Sequence, residues 1–547
     1  MAEPQSFPGA TRTGQTGLLD VVVVGAGFAG LYSLHRLRAM GLKVQVYEAG
    51  SGVGGTWFWN RYPGARCDVE SMQYSYSFSS ALEQEWQWTE RYASQPEILR
   101  YINHAADRFD LRRDLQLNTR VRSAILDALT GHWTVRTDQG DLVQCRFCIM
   151  ATGCLSAARV PDFKGLDSFK GAWHHTGLWP SDGTDFSGKR VGVIGTGSSG
   201  IQLIPQLARQ AAHLHVFQRT PHFSLPARNA PLPPGQQTDF KARYAHWREL
   251  ARHSPIGVAG IPVPAQSAME ATPEERQHTY QRFWDAGGTS FLRAFNDLLL
   301  HKPSNETAAA FVRSKIRSTV RDPAVAELLA PKDHFIGTKR ICLDSGYYET
   351  YNRDNVTLVD LKREPIVEIT PGGLRTEDAE YALDALVFAT GFDAMTGALL
   401  NMDIRGSNGV LLSHKWQDGP RTYLGLMTSG FPNLFIITGP GSPSVISNMV
   451  TSIEQHVDWI ANCLAYLDAH QFRQIEAIQQ AEDDWVAHVN EVAGCTLYPL
   501  ADSWYLGANI PDKPHVFMPY LGGVGLYRQK CKEVADGAYI GFKLGSS

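Results

Sequence analysis

The chain has 547 residues, enough for about three to five folding units and a core able to enclose cofactors. Its 51 Lys plus Arg against 55 Asp plus Glu leave a net charge of -4, so no global field draws it to nucleic acid or to acidic membranes. No apolar run approaches the roughly 20 residues that cross a bilayer, and no membrane association is expected. Residues 1–17 are rich in Gly, Thr, Gln and Pro, without a basic segment followed by an apolar one, and read as a flexible tail rather than a leader. The eight cysteines are scattered as in a chain from a reducing compartment, so the expected location is cytoplasmic. Cys145 and Cys148 form a C-x-x-C inside an extended apolar stretch with no further ligands at zinc spacing; both read as structural, and no metal is expected. Nothing in the sequence calls for an obligate protein partner.

In chain order, the β-branched run Val21 to Val24 predicts a parallel strand covered on both faces, feeding the glycine turn Gly25-Ala26-Gly27-Phe28-Ala29-Gly30. Leu31, Leu34, Leu37 and Met40 recur at helical spacing up to Gly41, and Val44 to Glu48 returns as a second strand. The same β-α-β pattern recurs at Arg190 to Ile194, the turn Gly195-Thr196-Gly197-Ser198-Ser199-Gly200, a helix with Ile201, Ile204 and Leu207, and the strand Leu214 to Phe217. Two domains of similar design follow, not a solenoid. Pro-rich and then Ala-rich charged segments at 225–330 predict a helical insertion. Later apolar strands, Leu383 to Ala389 and Leu434 to Ile437, predict that both β-α-β domains resume. The expected fold class is α/β, with two Rossmann-like dinucleotide-binding domains, both discontinuous. Residues 18–156 and 387–547 are read as one domain, 157–224 and 331–386 as the other.

In a G-x-G-x-x-G turn the first glycine (Gly25) permits the tight turn, the second (Gly27) admits a pyrophosphate, and the third (Gly30) lets helix and strand pack closely. Glu48, at the end of the next strand, can accept hydrogen bonds from both ribose hydroxyls of an adenosine. Because a second such turn follows, the first is assigned to FAD. At the second turn the position equivalent to Glu48 is Gln218, followed by Arg219 and Thr220. A carboxylate would repel a ribose 2′-phosphate, whereas a guanidinium binds it, so Gly195 to Gly200 with Arg219 and Thr220 predict NADPH over NADH.

The stretch Phe169-Lys170-Gly171-Ala172-Trp173-His174-His175-Thr176-Gly177-Leu178-Trp179-Pro180 matches F-x-G-x-x-x-H-x-x-x-W-P at all six fixed positions and stands just before the second glycine turn. It resembles the signature of the type I Baeyer-Villiger monooxygenases. Gly54-Gly55-Thr56-Trp57 and Tyr62-Pro63-Gly64-Ala65-Arg66-Cys67-Asp68 resemble two further patterns of that family, and the likeness runs from about Val21 to Phe542, nearest the phenylacetone and steroid monooxygenases. The resemblance implies that NADPH reduces the flavin, that O2 adds to give a peroxyflavin, and that this attacks a ketone, aryl, cyclic or steroid, to yield an ester or lactone, with sulfoxidation as a possible side activity.

It also implies site residues. Arg340, in Gly337-Thr338-Lys339-Arg340, matches the active-site arginine, a permanent cation for the negative charge that develops on flavin, peroxide and adduct. Asp68 matches its anionic partner. Gly55, Thr56, Trp57 and Tyr74 join the flavin contacts; Lys339 is expected on the NADPH phosphate or ribose, and Trp504 over nicotinamide or substrate. Phe169, Gly171, His175 and Trp179 are expected to couple cofactor binding to domain movement. Ser444, Val445, Ile446 and Met449, after Gly439-Pro440-Gly441, are expected to line the ketone pocket. One departure is that the strand ending Ile437-Thr438-Gly439-Pro440 lacks the late Asp that holds flavin in many two-dinucleotide flavoproteins. The alternatives are an N- or S-oxygenating flavin monooxygenase and, less favoured, a flavin redox sensor.

Overall fold

A computed structural model describes residues 17–546; apart from Gly17, the expected tail lies outside the described residues, as does residue 547. Two sheets dominate, the first parallel around its central strand but with Trp133–Thr137 antiparallel to both neighbours, the second parallel throughout. In the first, Leu19–Val24 lies between Leu142–Met150 and Val44–Tyr47, parallel to both. Val21, Val22 and Val23 are fully buried, which is why a strand covered on both faces reads as an unbroken apolar run. Beyond Val44–Tyr47 lies Leu115–Gln116; on the other side come Trp133–Thr137, Val121–Leu126 and Asp403–Arg405, and Leu434–Ile436 also joins Leu142–Met150. The helix Phe28–Ala39 leaves the first glycine turn and packs on the long helix Met449–Ala469.

The second sheet runs Val356–Asp360, His213–Gln218, Arg190–Ile194, Ala385–Phe388, Ala172–His175, parallel throughout. The helix Ser198–Gln210 follows its glycine turn. A small antiparallel sheet, Ile366–Thr370, Gly373–Thr376 and Glu380–Ala382, adjoins it. Between the second and later strands stand the helices Pro234–Ala242, Tyr244–His253, Pro273–Ala286, Lys302–Thr319 and Pro323–Leu329. The third of these opens on a reciprocal Thr272/Glu275 capping box, which satisfies two N-terminal backbone donors at once.

Each of the two large sheets therefore takes strands from two distant stretches of chain, and the expected α/β class with two Rossmann-like sheets is the one observed. The chain passes between the sheets at 151–159 and again at 389–395. These crossings lie side by side. Arg159 N donates to Gly391 O (3.0 Å), Asp393 N to Ala157 O (2.9 Å) and Thr390 Oγ1 to Arg159 O (2.7 Å). Among the described residues no helix is long and apolar enough to cross a membrane.

Candidate active site

At the first glycine turn Gly25 has φ +106°, and a Cβ there would stand 2.6 Å from the Ala151 carbonyl oxygen; only glycine fits this left-handed, crowded position. Gly27 faces Gly55, and Gly54 N donates to Ala26 O at 2.9 Å. Two glycine loops thus meet backbone to backbone. Glu48 is buried and accepts from Ala26 N and Gly50 N, both at 2.7 Å. One lone pair on each oxygen fixes the turn, and the others remain to receive ribose hydroxyls. Trp57 Nε1 donates to the buried Tyr74 hydroxyl at 3.1 Å, so these two flavin-assigned residues form one wall, while Thr56 opens the short helix Thr56–Trp59 at the surface. This cradle of close-set glycine backbone with a buried carboxylate at its end fits an adenine dinucleotide.

At the second turn Gly195 repeats the left-handed conformation, φ +109°. A Cβ on Gly197 would meet nothing within 4 Å, so the backbone here is open to close approach. Thr196 Oγ1 donates to Thr220 O at 3.0 Å and ties the turn to the end of the next strand. Ser198 Oγ lies 3.2 Å from Cys342 Sγ, and Ser199 neighbours the buried Tyr62 hydroxyl. Arg219 is exposed and makes no ion pair among the described residues. Its charge, after burial, pushes the Lys339 ammonium and the Arg159 guanidinium below their ordinary values. Arg219 thus stands within electrostatic reach of both cations, and a dianionic 2′-phosphate beside it would offset that repulsion. The Lys339 ammonium meanwhile hydrogen-bonds the Asp502 carbonyl.

Arg340 precedes the strand Cys342–Asp344, which pairs in parallel with Ser224–Pro226. Its Nη2 and Nε donate to Oδ2 of Asp68 at 2.6 and 3.0 Å, and Nη1 donates to the Val445 carbonyl. Both side chains are largely covered, 30% and 23% exposed. Burial opposes the charge on Arg340, but the Asp68 carboxylate and the Tyr505 hydroxyl outweigh it and hold the guanidinium above its ordinary range. Burial likewise raises the Tyr505 phenol against the pull of Arg340. The cation is therefore fixed in orientation and in charge.

Around it the chain gathers an apolar wall. Val445, Met395, Tyr505 and Phe517 are buried together, with Ile446, Met449 and Trp504 packed against them. Ser444 is fully buried with φ +44°. Trp504 and Tyr505 rings lie 4.3 Å apart. The structure thus brings the expected pocket residues, Trp504 and the Arg340–Asp68 pair into one place. At the strand end lacking the late acid, Thr438 donates its N–H to Nδ1 of the buried His456 (2.8 Å).

The signature motif lies elsewhere. His175 ends the edge strand of the second sheet, is 1% exposed, and accepts from Gly177 N at 3.0 Å through Nδ1. Burial lowers its pKa, so the ring is neutral. It stands edge-on to Phe392 in the second crossing. Phe169 packs in the core behind the same sheet, a side chain on Gly171 would overlap the Asp384 carbonyl, and Trp179 packs on His174 and Phe186. Tyr505, the Val445 carbonyl and His456 carry parts of the site that sequence reading did not single out; each acts through a contact between distant segments, for which no local signal exists.

The family model described as pyridine nucleotide-disulphide oxidoreductase matches residues 22–292. All eight cysteines are free, and Cys145 and Cys148 are buried in the strand Leu142–Met150. The chain is 44% identical over 524 residues to a Baeyer-Villiger monooxygenase of Pseudooceanicola batsensis, covering 95% of each. It is 43% identical over 531 residues to the phenazine N-monooxygenase PhzNO1 of Lysobacter antibioticus, covering 96% of this chain and 97% of that one. A solved structure of oxidized steroid monooxygenase bound to NADP is 56% identical, with TM-score 0.93 over 97% of this chain and all of that one. The two glycine-turn cradles, the fixed Arg340–Asp68 pair and these similarities together make the chain a member of the Baeyer-Villiger monooxygenases, enzymes that use FAD, NADPH and O2 to insert one oxygen beside a ketone carbonyl.

Proposed function

We propose that Arg340 is the catalytic cation of this enzyme, that Asp68 orients it, and that the ketone lies against Val445, Ile446, Met449 and Trp504. Bound FAD, once reduced by NADPH, supplies the oxygen-activating chemistry. The observation that carries the reading is the guanidinium held between the Asp68 carboxylate and the Val445 carbonyl at the edge of an apolar, aromatic-walled cluster. A donor fixed in advance at a water-poor site stabilises developing negative charge without reorganising. The wall keeps water away and offers a ketone only apolar contact. His175 is buried, neutral and packed on the crossing, which supports a role in coupling NADPH binding to movement between the sheets rather than in proton transfer.

Gly25, Gly27, Gly30, Glu48, Gly55, Thr56, Trp57 and Tyr74 would hold FAD; Gly195 to Gly200, Arg219, Thr220 and Lys339 would hold NADPH. We assign 18–156 and the chain after the second crossing to the flavin domain, 157–224 and 331–388 to the NADPH domain, and 225–330 to the insertion. The return falls after Phe388 rather than at 387, because Ala385–Phe388 is a strand of the second sheet. The free cysteines support a reducing, cytoplasmic setting.

The 43%-identical phenazine N-monooxygenase favours one second reading, oxygenation of an aromatic ring nitrogen in the same pocket. A panel of an aryl ketone, a cycloalkanone, a steroid ketone and phenazine, with NADPH use, peroxide and product mass followed together, decides between them. A product heavier by one oxygen and ester-linked is expected from a ketone. N-oxide from phenazine with no ester from any ketone would overturn the ketone reading.

A further inference from the structure

We propose that Cys154 is a positioning residue for Arg340, acting through a hydrogen-bonded latch on the loop from Thr438 to Val445; this rests on Arg340 having the role given above. Cys154 stands in the first crossing, just past the strand Leu142–Met150, 6% exposed. Its Sγ donates to the Thr438 carbonyl at 3.2 Å and lies 3.0 Å from Ser444 Oγ. Ser444 Oγ in turn donates to the same carbonyl at 3.1 Å. Thiol, hydroxyl and carbonyl thus close a triangle across 290 positions of sequence.

What the triangle holds is strained backbone. Thr438 and Ser444 both have positive φ, +55° and +44°, a conformation that costs a residue with a side chain free energy unless its surroundings hold it there. The residue after Ser444 is Val445, whose carbonyl receives Arg340 Nη1. If Ser444 relaxed toward negative φ, the chain after it would swing and that carbonyl would leave the guanidinium, which would then keep only its side-chain partners, Asp68 and Tyr505. The thiol suits the task because burial raises its pKa, against the opposing pull of Ser444 and Thr438; it stays protonated, a neutral donor.

The test compares Cys154→Ala, Cys154→Ser and Ser444→Ala with wild type and Arg340→Ala, all as FAD-loaded enzyme. Ester formed per NADPH, hydrogen peroxide, ketone KM and kcat, melting temperature, and the flavin absorbance change on titrating NADP+ are measured. Losing one hydrogen bond of the latch should lower ester per NADPH and kcat roughly 3- to 10-fold in Cys154→Ala and Ser444→Ala. Peroxide should rise to match, with ketone KM and NADP+ affinity within about 2-fold of wild type. Cys154→Ser, which keeps a donor, should recover most of the loss. Wild-type coupling in Cys154→Ala, or equal impairment in Cys154→Ser, overturns the latch; if Cys154→Ala does not hold flavin, wild-type coupling in Ser444→Ala overturns it. Normal ester from Arg340→Ala would instead remove the Arg340 reading. Its absence beside normal coupling in Cys154→Ala would remove the latch alone.

Discussion

Arg340 and Asp68 are 272 positions apart in sequence and 2.6 Å apart in space. The pair joins the loop after Tyr62 to the segment that enters the strand Cys342–Asp344. It is neither a surface pair, which would be worth little, nor a fully dry one, and its third partner, the Val445 carbonyl, comes from a third segment of chain.

Asp68→Asn keeps an acceptor oxygen but removes the charge. The guanidinium should then lose orientation: ester formation is expected to fall about 10-fold or more, and stability by about 1–3 kcal/mol, less than for a fully buried pair because both side chains retain some exposure. Urea unfolding monitored alongside ester yield checks both. An unchanged yield would mean that Asp68 does not orient the cation.

Arg219→Ala should raise the KM for NADPH by roughly 10- to 100-fold, as expected for a lost charge-assisted contact to phosphate, and leave that for NADH nearly unchanged. Equal effects on the two cofactors would separate Arg219 from the 2′-phosphate.

Gly197→Ala separates folding from binding. A methyl there meets no protein atom within 4 Å, and its φ of -81° suits alanine, so melting temperature and flavin content should be preserved while NADPH binding weakens 10-fold or more, roughly the cost of blocking a close backbone approach. Unchanged NADPH affinity, read from the flavin absorbance change, would place the pyrophosphate elsewhere.

His456 gives a pH dependence. It is fully buried, accepts from Thr438 N, and burial, with the Arg528 charge, lowers its pKa to about 3. A folded value below the unfolded one of about 6.5 means that the neutral ring stabilises the fold fully above pH 6.5, and that this stability is lost as pH falls toward 3, by up to about 1.4 kcal/mol per pH unit. His456→Gln, which keeps an acceptor, should flatten unfolding free energy against pH between 6.5 and 4. An unchanged slope would show that other groups set it.

How much of this was legible in the sequence follows from distance along the chain. Both glycine turns, Glu48 and Arg219 are local: a strand, a turn and a helix within about 25 residues carry their own signal. The discontinuous sheets were legible because the returning strands Ala385–Phe388 and Leu434–Ile436 are short, wholly buried apolar runs. The Arg340–Asp68 pair came through family likeness, since nothing in either segment alone points to the other. Tyr505, the Val445 carbonyl and the Cys154–Thr438–Ser444 triangle had no sequence signal. They are made by loops whose side chains are unremarkable in isolation and whose backbone conformations, φ +55° at Thr438 and +44° at Ser444, only the packed protein enforces.

The most direct test of the central claim is ester formed per NADPH consumed by FAD-loaded Arg340→Ala. The account predicts full flavin content with ester formation down by about two to three powers of ten, as for removal of an oxyanion donor, and oxygen recovered as hydrogen peroxide. Ester at the wild-type rate from that variant would contradict it.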